Sequence, residues 1–230
     1  MPTLPTEIMN YLIRLTLTIL AAGWLLIACA STNKDQPLQK PVNITTELQE
    51  VTVMHRGEAV VIKRLQDPTH KLGDEYTLSS RPCPPRCIHP FSLGAGVETI
   101  GELELLDYLV AASEPNPAVL VIDSRTEDWT SKGIIPGSRI ITWQTLKTDT
   151  SDPLTVMSLL EDDFNVDTSE ALWDFSEAKT LVLLCNGIWC NQSPQNIKTL
   201  LKLGYPAGKI KWYRGGVQSW VQLGLPLVQP

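Results

Sequence analysis

Nowhere in the 230-residue chain do lysines and arginines gather into a dense run, and 19 basic against 25 acidic residues leave a formal charge of −6. The cationic footprint of a polyphosphate partner is missing, so nucleic acid binding is disfavoured. No internal repeat of roughly 20 to 50 residues is visible, which removes solenoids and propellers. Histidine is scarce, with three in the chain; His55 and His70 have no partners nearby in sequence and are expected at the surface. No cofactor and no metal are expected: Cys83, Cys87 and His89 lie close together, but a structural zinc wants four ligands. What the chain does have is 43% hydrophobic residues, enough to bury the core of one domain of ordinary size. Its 17 prolines concentrate at the chain ends and in stretches such as 81–87, where they mark boundaries.

Residues 15–28 are almost wholly apolar, with Arg14 before them and small residues near the end, the pattern of an export signal. A run of about fourteen residues is short for a spanning helix, which needs roughly 20. It closes on Leu26-Ile27-Ala28-Cys29, which resembles the lipobox of bacterial lipoproteins, and that resemblance implies a signal peptide over 1–28 and lipid attached at Cys29. The alternative is an uncleaved anchor helix from near Tyr11 with Arg14 snorkelling to the headgroups. Either way the remainder lies outside the cytoplasm, facing the periplasm. Ala30 follows Cys29 where many inner-membrane lipoproteins have aspartate, which favours the outer membrane. Residues 29–50 are polar, proline-containing and aperiodic, the composition of a flexible tether.

Beyond the tether, 51–55 and 59–64 are β-rich runs around Arg56-Gly57-Glu58, which predicts an accessory hairpin. With the segment Cys83-Pro84-Pro85-Arg86-Cys87 it makes up residues 51–95. Strands and helices then alternate from 96 to 230. Strands are expected at 97–100, 118–122, 139–141, 180–184 and 209–213. Helices are expected at 101–112, around Trp129, near 154–160 and 169–175, and at 193–203 and 217–223. This alternation predicts an α/β fold: a parallel sheet of about five strands with helices on both faces, plus the small N-terminal hairpin.

In such sheets chemistry sits just beyond the carboxyl ends of strands. Cys185 occupies that place, directly after Thr180-Leu-Val-Leu-Leu184 and ahead of Ser193, a good helix cap. The connecting loop, Asn186, Gly187, Ile188, Trp189, Cys190, Asn191 and Gln192, feeds a helix N-terminus, whose backbone amides and dipole favour thiolate over thiol. The alternative for a cysteine after a core strand is a small buried residue without chemistry.

Four segments, Cys185 among them, make a pattern. They are Val121-Ile-Asp123-Ser-Arg125, Lys132-Gly-Ile-Ile-Pro136-Gly137-Ser, Cys185 at the start of its loop, and Trp212-Tyr-Arg-Gly215-Gly216-Val-Gln-Ser-Trp220. Together they resemble the rhodanese-like sulfurtransferase domain, in order and spacing, from about Gly96 to Pro230. The resemblance implies that Cys185 accepts a sulfane sulfur as a persulfide and passes it to a nucleophilic acceptor. It also implies that Asp123 and Arg125 form a structural pair near the loop, and that Trp220 and the glycines serve packing and turns.

Two departures bear on specificity. Many thiosulfate-using members carry an arginine five residues after the catalytic cysteine, and Cys190 stands there; the loop also counts about two residues longer than usual. Phosphatase relatives of the fold keep an arginine that this loop lacks. Cys190 is either a resolving thiol for Cys185 or a buried loop residue that never meets it. Cys83 and Cys87 are expected to close a tight disulfide outside the cytoplasm, where disulfides persist. A Cys-Pro-Pro segment ahead of a Cys-Asn-Gly-x-Trp-Cys loop resembles an exported subgroup of rhodanese-like proteins.

Three functions therefore stand open: a sulfurtransferase or persulfide carrier, a thiol–disulfide oxidoreductase using Cys185 and Cys190, and a non-catalytic binding module. The partners expected are the membrane, through the lipid anchor, and a small sulfur donor or protein thiol acceptor.

Overall fold

A computed structural model describes residues 40–82, 84 and 87–230. The apolar run at 15–28, Cys29, the first half of the expected tether and Cys83 lie outside the described residues. Residues 42–230 form one compact unit. It begins inside the segment expected as tether, because Ile44 and Leu48 find apolar cover.

The β-rich runs pair as an antiparallel hairpin, β1 (Glu50–His55) with β2 (Glu58–Lys63), in a register from Glu50↔Lys63 to His55↔Glu58. Arg56 and Gly57 turn the chain with φ of 50° and 82°, the left-handed pair that a two-residue hairpin requires. Alternation puts Val53 and Ile62 in the core. His55, expected as a plain surface residue, is half-buried instead. Its Nδ1 accepts from the Gly137 amide at 3.3 Å and its Nε2 lies 3.3 Å from the Gln229 carbonyl, so it ties the hairpin to the sheet domain.

A short helix, α1 (Asp74–Thr77), follows, and then the main sheet begins. Its elements are β3 (Glu98–Ile100), α2 (Glu102–Ala111), β4 (Val119–Asp123), α3 (Glu127–Thr130), β5 (Arg139–Ile140), α4 (Pro153–Ser158), β6 (Thr180–Leu184), α5 (Gln192–Lys202), β7 (Ile210–Tyr213) and α6 (Gly216–Gln222). The five strands are parallel in the order β3-β7-β6-β4-β5. Period-two alternation along β6 sends Leu181 and Leu183 to one face and Val182 and Leu184 to the other. The first face is covered by Ile197 and Leu200 of α5. The second is covered by Leu105, Leu106 and Leu109 of α2 and by Val217 and Trp220 of α6. Every buried strand thus has apolar cover on both sides, which is why these strands read as continuous apolar runs.

The helix expected near 169–175 does not form. Asp167 and Asp174 instead pair across an antiparallel bridge. Their carboxylates capture the amides of Ser169 at 2.9 Å and Ser176 at 2.8 Å. Such side chains compete with the helix for backbone donors. The helix near 154–160 forms only as α4, capped by the Asp152 carboxylate on the Thr155 amide, and then widens into a π-helical turn over Leu159–Asp163.

Candidate active site

β6 delivers Cys185 to the carboxyl edge of the sheet, in the turn after Leu184, which is in register with Asp123 of β4. The loop beyond Cys185 is held from below by α6. The Val217 amide donates to the Cys185 carbonyl at 2.9 Å and the Gln218 amide to the Asn186 carbonyl at 2.8 Å. This approach requires glycine at Gly216, whose φ is +60° and where a Cβ would meet the Cys185 oxygen at 2.3 Å. The loop closes with the Cys190 amide on the Gly187 carbonyl at 2.9 Å.

Cys185 is 3% exposed and Cys190 5%. Burial pushes the Cys185 thiol up, but hydrogen bonds from the Cys190 thiol, the Ser193 hydroxyl and amide, and the Gly187 amide outweigh it and bring the group down to about 7. The Ser193 hydroxyl reaches the Cys185 Sγ at 3.2 Å, and the Trp212 indole N–H donates to that same Ser193 oxygen at 3.2 Å. Ser193 was expected as the helix cap; it lies instead inside the first turn of α5, and its hydroxyl serves the sulfur. Cys190 moves the other way: its hydrogen bond to Cys185, its burial and the charge on Cys185 all hold its thiol protonated, against the amides of Gln192 and Asn186. The Gln192 amide lies 3.5 Å from Cys190 Sγ. The Cys190 thiol also points at the Gln192 Oε1, 3.8 Å away; of the two thiols, Cys185 gives up its proton first.

The remaining loop residues divide by environment. Asn186 is buried, and among the described residues no donor reaches its Oδ1. Ile188 is 45% exposed. Trp189 donates from its indole to the Gln218 Oε1 at 2.7 Å. Gln192 donates to the Thr126 hydroxyl at 3.4 Å. Asn191 and Gln192 line, with Trp143 and Gln195, a cavity of about 140 Å³.

At the end of β4, Asp123 and Arg125 form a buried bidentate pair. Arg125 Nε donates to Oδ1 at 2.9 Å and Nη2 to Oδ2 at 2.7 Å, and Nη2 also reaches the Gly133 carbonyl at 2.7 Å. Burial lowers the Arg125 group, but Asp123 more than compensates and raises it. Ile134 is buried in a bridge to Val228.

The described residues of 74–91 lie against the loop as a strap, a feature with no signal in periodicity. Gln218 donates to the Tyr76 carbonyl at 3.3 Å. The Arg81 guanidinium lies 4.3 Å from the Trp189 ring centroid. Cys87 is disulfide-bonded, and Cys83, its expected partner, lies outside the described residues. The Cys87 sulfur sits 3.2 Å from the Ile188 carbonyl oxygen. Arg214 donates to the Cys87 and His89 carbonyls at 3.3 and 3.0 Å, and Phe91 meets Trp212 edge-on at 6.5 Å.

Among curated proteins none matches the chain. Solved structures similar to it include a protein of unknown function, a possible tyrosine phosphatase, from Rhodopseudomonas palustris, 22% identical over 59% of this chain and 88% of that one, with a TM-score of 0.38. A human single-domain sulfurtransferase is 19% identical over 55% and 97%, with a TM-score of 0.37. A rhodanese-like domain protein from Staphylococcus aureus is 21% identical over 57% and 99%, with a TM-score of 0.33. The Rhodanese-like domain family matches residues 105–223, which is more than half of the chain and includes β4, β6, the Cys185 loop and α6, so the protein belongs to the rhodanese-like family.

Proposed function

We propose that the protein is a sulfurtransferase or persulfide carrier with Cys185 as its nucleophile. The observation that carries this is the sulfur's surroundings: a buried thiol brought down to about 7 by converging donors, at the end of a core strand. The Cys185 thiolate attacks the outer sulfur of a donor RS–SH; a Cys185 Sγ–S bond forms as the RS–S bond breaks, and the electron pair leaves with RS⁻. An acceptor thiolate R′S⁻ then attacks the outer sulfur of the Cys185 persulfide, giving R′S–SH and returning the Cys185 thiolate. The loop amides and the Ser193 hydroxyl stabilise the anion at both ends of the cycle. Thiosulfate is a poor fit as donor, because Cys190 replaces the loop arginine and Arg125 is committed to Asp123.

A second reading is favoured by one contact, the hydrogen bond of the Cys190 thiol to Cys185. As a thiol–disulfide oxidoreductase the pair would close a Cys185–Cys190 disulfide while reducing a substrate RS–SR to two thiols.

The site belongs, in this proposal, to an exported lipoprotein of the longer-loop subgroup: a signal peptide over 1–28, lipid on Cys29, a tether and a periplasm-facing domain, with the outer membrane favoured. Its partners are a small sulfane-sulfur donor or a protein thiol acceptor. Globomycin, which blocks lipoprotein signal cleavage, is expected to leave an uncleaved precursor; export with Cys29 free of lipid overturns the anchor.

Intact-mass measurement after treatment with a sulfane-sulfur donor tests the chemistry. Wild type and Cys190→Ser are expected to gain one sulfur atom, and Cys185→Ser none. A Cys185–Cys190 disulfide as the sole product supports the oxidoreductase, and an inert Cys185 in the wild type ends both readings.

A further inference from the structure

The strap carries a cation whose placement the sulfur chemistry does not by itself explain. Arg81 spreads its guanidinium over Trp189 at 4.3 Å, with the Trp129 ring 5.8 Å away, and the two indoles lie 5.7 Å apart. Its Nη2 is fixed to the Glu75 carbonyl at 2.6 Å, while its Nε is buried without a hydrogen-bond partner among the described residues. The group presents its face to the indole at the expense of a donor. Trp189 is held at its edge as well, through Gln218, which also binds the carbonyls of Asn186 and Tyr76. The next residue in the chain is Cys190, whose amide donates to the Gly187 carbonyl at 2.9 Å and closes the loop that starts at Cys185. A cation–π contact made by a half-buried guanidinium is strong enough to select one ring orientation. A ring clamped on face and edge restricts the backbone of the residue that carries it.

We infer that Arg81 is a positioning residue for Cys185: by clamping Trp189 from the strap, it holds the loop closed, so that the loop's donors stay turned onto the Cys185 sulfur. The inference rests on Cys185 being the nucleophile. It gives the strap a part in the site and makes the segment around residues 74–91 more than an accessory to the fold. The titratable and charged groups around this edge are Cys190 in the loop, Asp123 and Arg125 as a closed pair beyond β4, Glu75, Tyr76 and Arg81 on the strap, Lys132 with its Nζ 4.6 Å from the Trp129 ring centroid, and Arg214 bound to strap carbonyls. Of these, Cys190 shares the clamped loop with Cys185, its amide on the Gly187 carbonyl at 2.9 Å, so loss of the clamp is read through the loop's donors to the Cys185 sulfur.

The test is the pH profile of Cys185 alkylation by iodoacetamide, read by mass spectrometry of the Cys185 peptide in the folded, full-length protein. Arg81→Ala is expected to raise the midpoint by about one pH unit and slow alkylation at pH 7 about fivefold, as the thiolate fraction falls. Arg81→Lys, which keeps a cation over the ring, is expected to recover at least half of that shift. Arg81→Met fills similar space without charge and is expected to shift the midpoint upward, so it carries the test if the alanine variant fails to fold. An unchanged midpoint in the folded alanine or methionine variant overturns the inference. So does slower sulfur uptake with an unchanged midpoint, because Arg81 would then be binding the donor. The midpoint is measurable whether or not Cys185 accepts sulfur, so failure of the sulfurtransferase reading and failure of this inference remain distinct.

Discussion

Adjacent parallel strands, β4 and β6, end at the same level, and each leaves an anion-forming group in a buried place. They handle it in opposite ways. At β4 the Asp123 carboxylate meets a guanidinium in a bidentate pair with both side chains fully buried, so the charge is cancelled and chemically spent. At β6 the Cys185 sulfur meets only dipoles: amides, a hydroxyl and a second thiol. Dipoles stabilise a charge without neutralising it, which leaves a thiolate still able to attack. The difference separates a buried ion that holds a fold together from one that does chemistry. In the loop, Cys190 supplies a proton donor where a cation would have formed another closed pair.

The largest effect is expected from breaking the closed pair. Arg125→Leu leaves Asp123 buried without its counter-charge, and the expected loss is about 3–5 kcal/mol of folding stability, measured by urea unfolding. Replacing both partners, Asp123→Leu with Arg125→Leu, is expected to recover most of it, since an apolar pair carries no desolvation cost. The comparison fails if the double replacement is no more stable than the single one. It is sharpened if the alkylation midpoint of Cys185 stays unchanged in the double variant, which would make the two strand ends independent.

Both strand ends were legible in the sequence, as apolar runs closed by Asp123 and Cys185, and so was the five-strand alternation around them. The central strands β4 and β6 betray themselves because both faces are covered and their middle positions are all apolar. The strap was not legible. Its contacts with the loop join residues far apart in the chain, such as Arg81 with Trp189, and depend on a segment with no period to read. Ser193 was legible as a residue at a helix start, but its hydroxyl's direction depends on Trp212 arriving from β7. The expected helix near 169–175 was lost to Asp167 and Asp174, whose carboxylates took the amides of Ser169 and Ser176.

At the open site a smaller effect is expected from Ser193→Ala. The hydroxyl donates to Cys185 Sγ at 3.2 Å, and a hydrogen bond to a charged group contributes about 1.5–3 kcal/mol. The Ser193 and Gly187 amides remain as donors and take up part of the loss. The alkylation midpoint of Cys185 is expected to move up from about 7 by about one unit, each unit being worth about 1.4 kcal/mol. Because the thiolate is the reactive form, the rate falls below the new midpoint and recovers above it. A midpoint that stays in place would mean that the amides alone hold the anion.

The smallest effect is expected from Trp212→Phe, and it asks whether dipoles act on the sulfur singly or as a relay. The Trp212 indole N–H occupies a lone pair of the Ser193 oxygen at 3.2 Å, which leaves the hydroxyl proton free to point at Cys185. Phenylalanine keeps the apolar cover but removes that donor. Ser193 can then rotate, and its hydroxyl spends part of its time away from the sulfur. A neutral hydrogen bond contributes about 0.5–1.5 kcal/mol; acting only through orientation, its loss is expected to raise the Cys185 midpoint by about 0.3 units, a change in rate of roughly 1.5-fold near pH 7. The decisive comparison is a double-mutant cycle, since partners in one network show coupling and independent sites add. With Ser193→Ala already in place there is no hydroxyl to orient, so Trp212→Phe is expected to add no further shift. If the two shifts add in full, Trp212 acts on Cys185 by packing, and the relay from β7 through Ser193 to the sulfur does not operate.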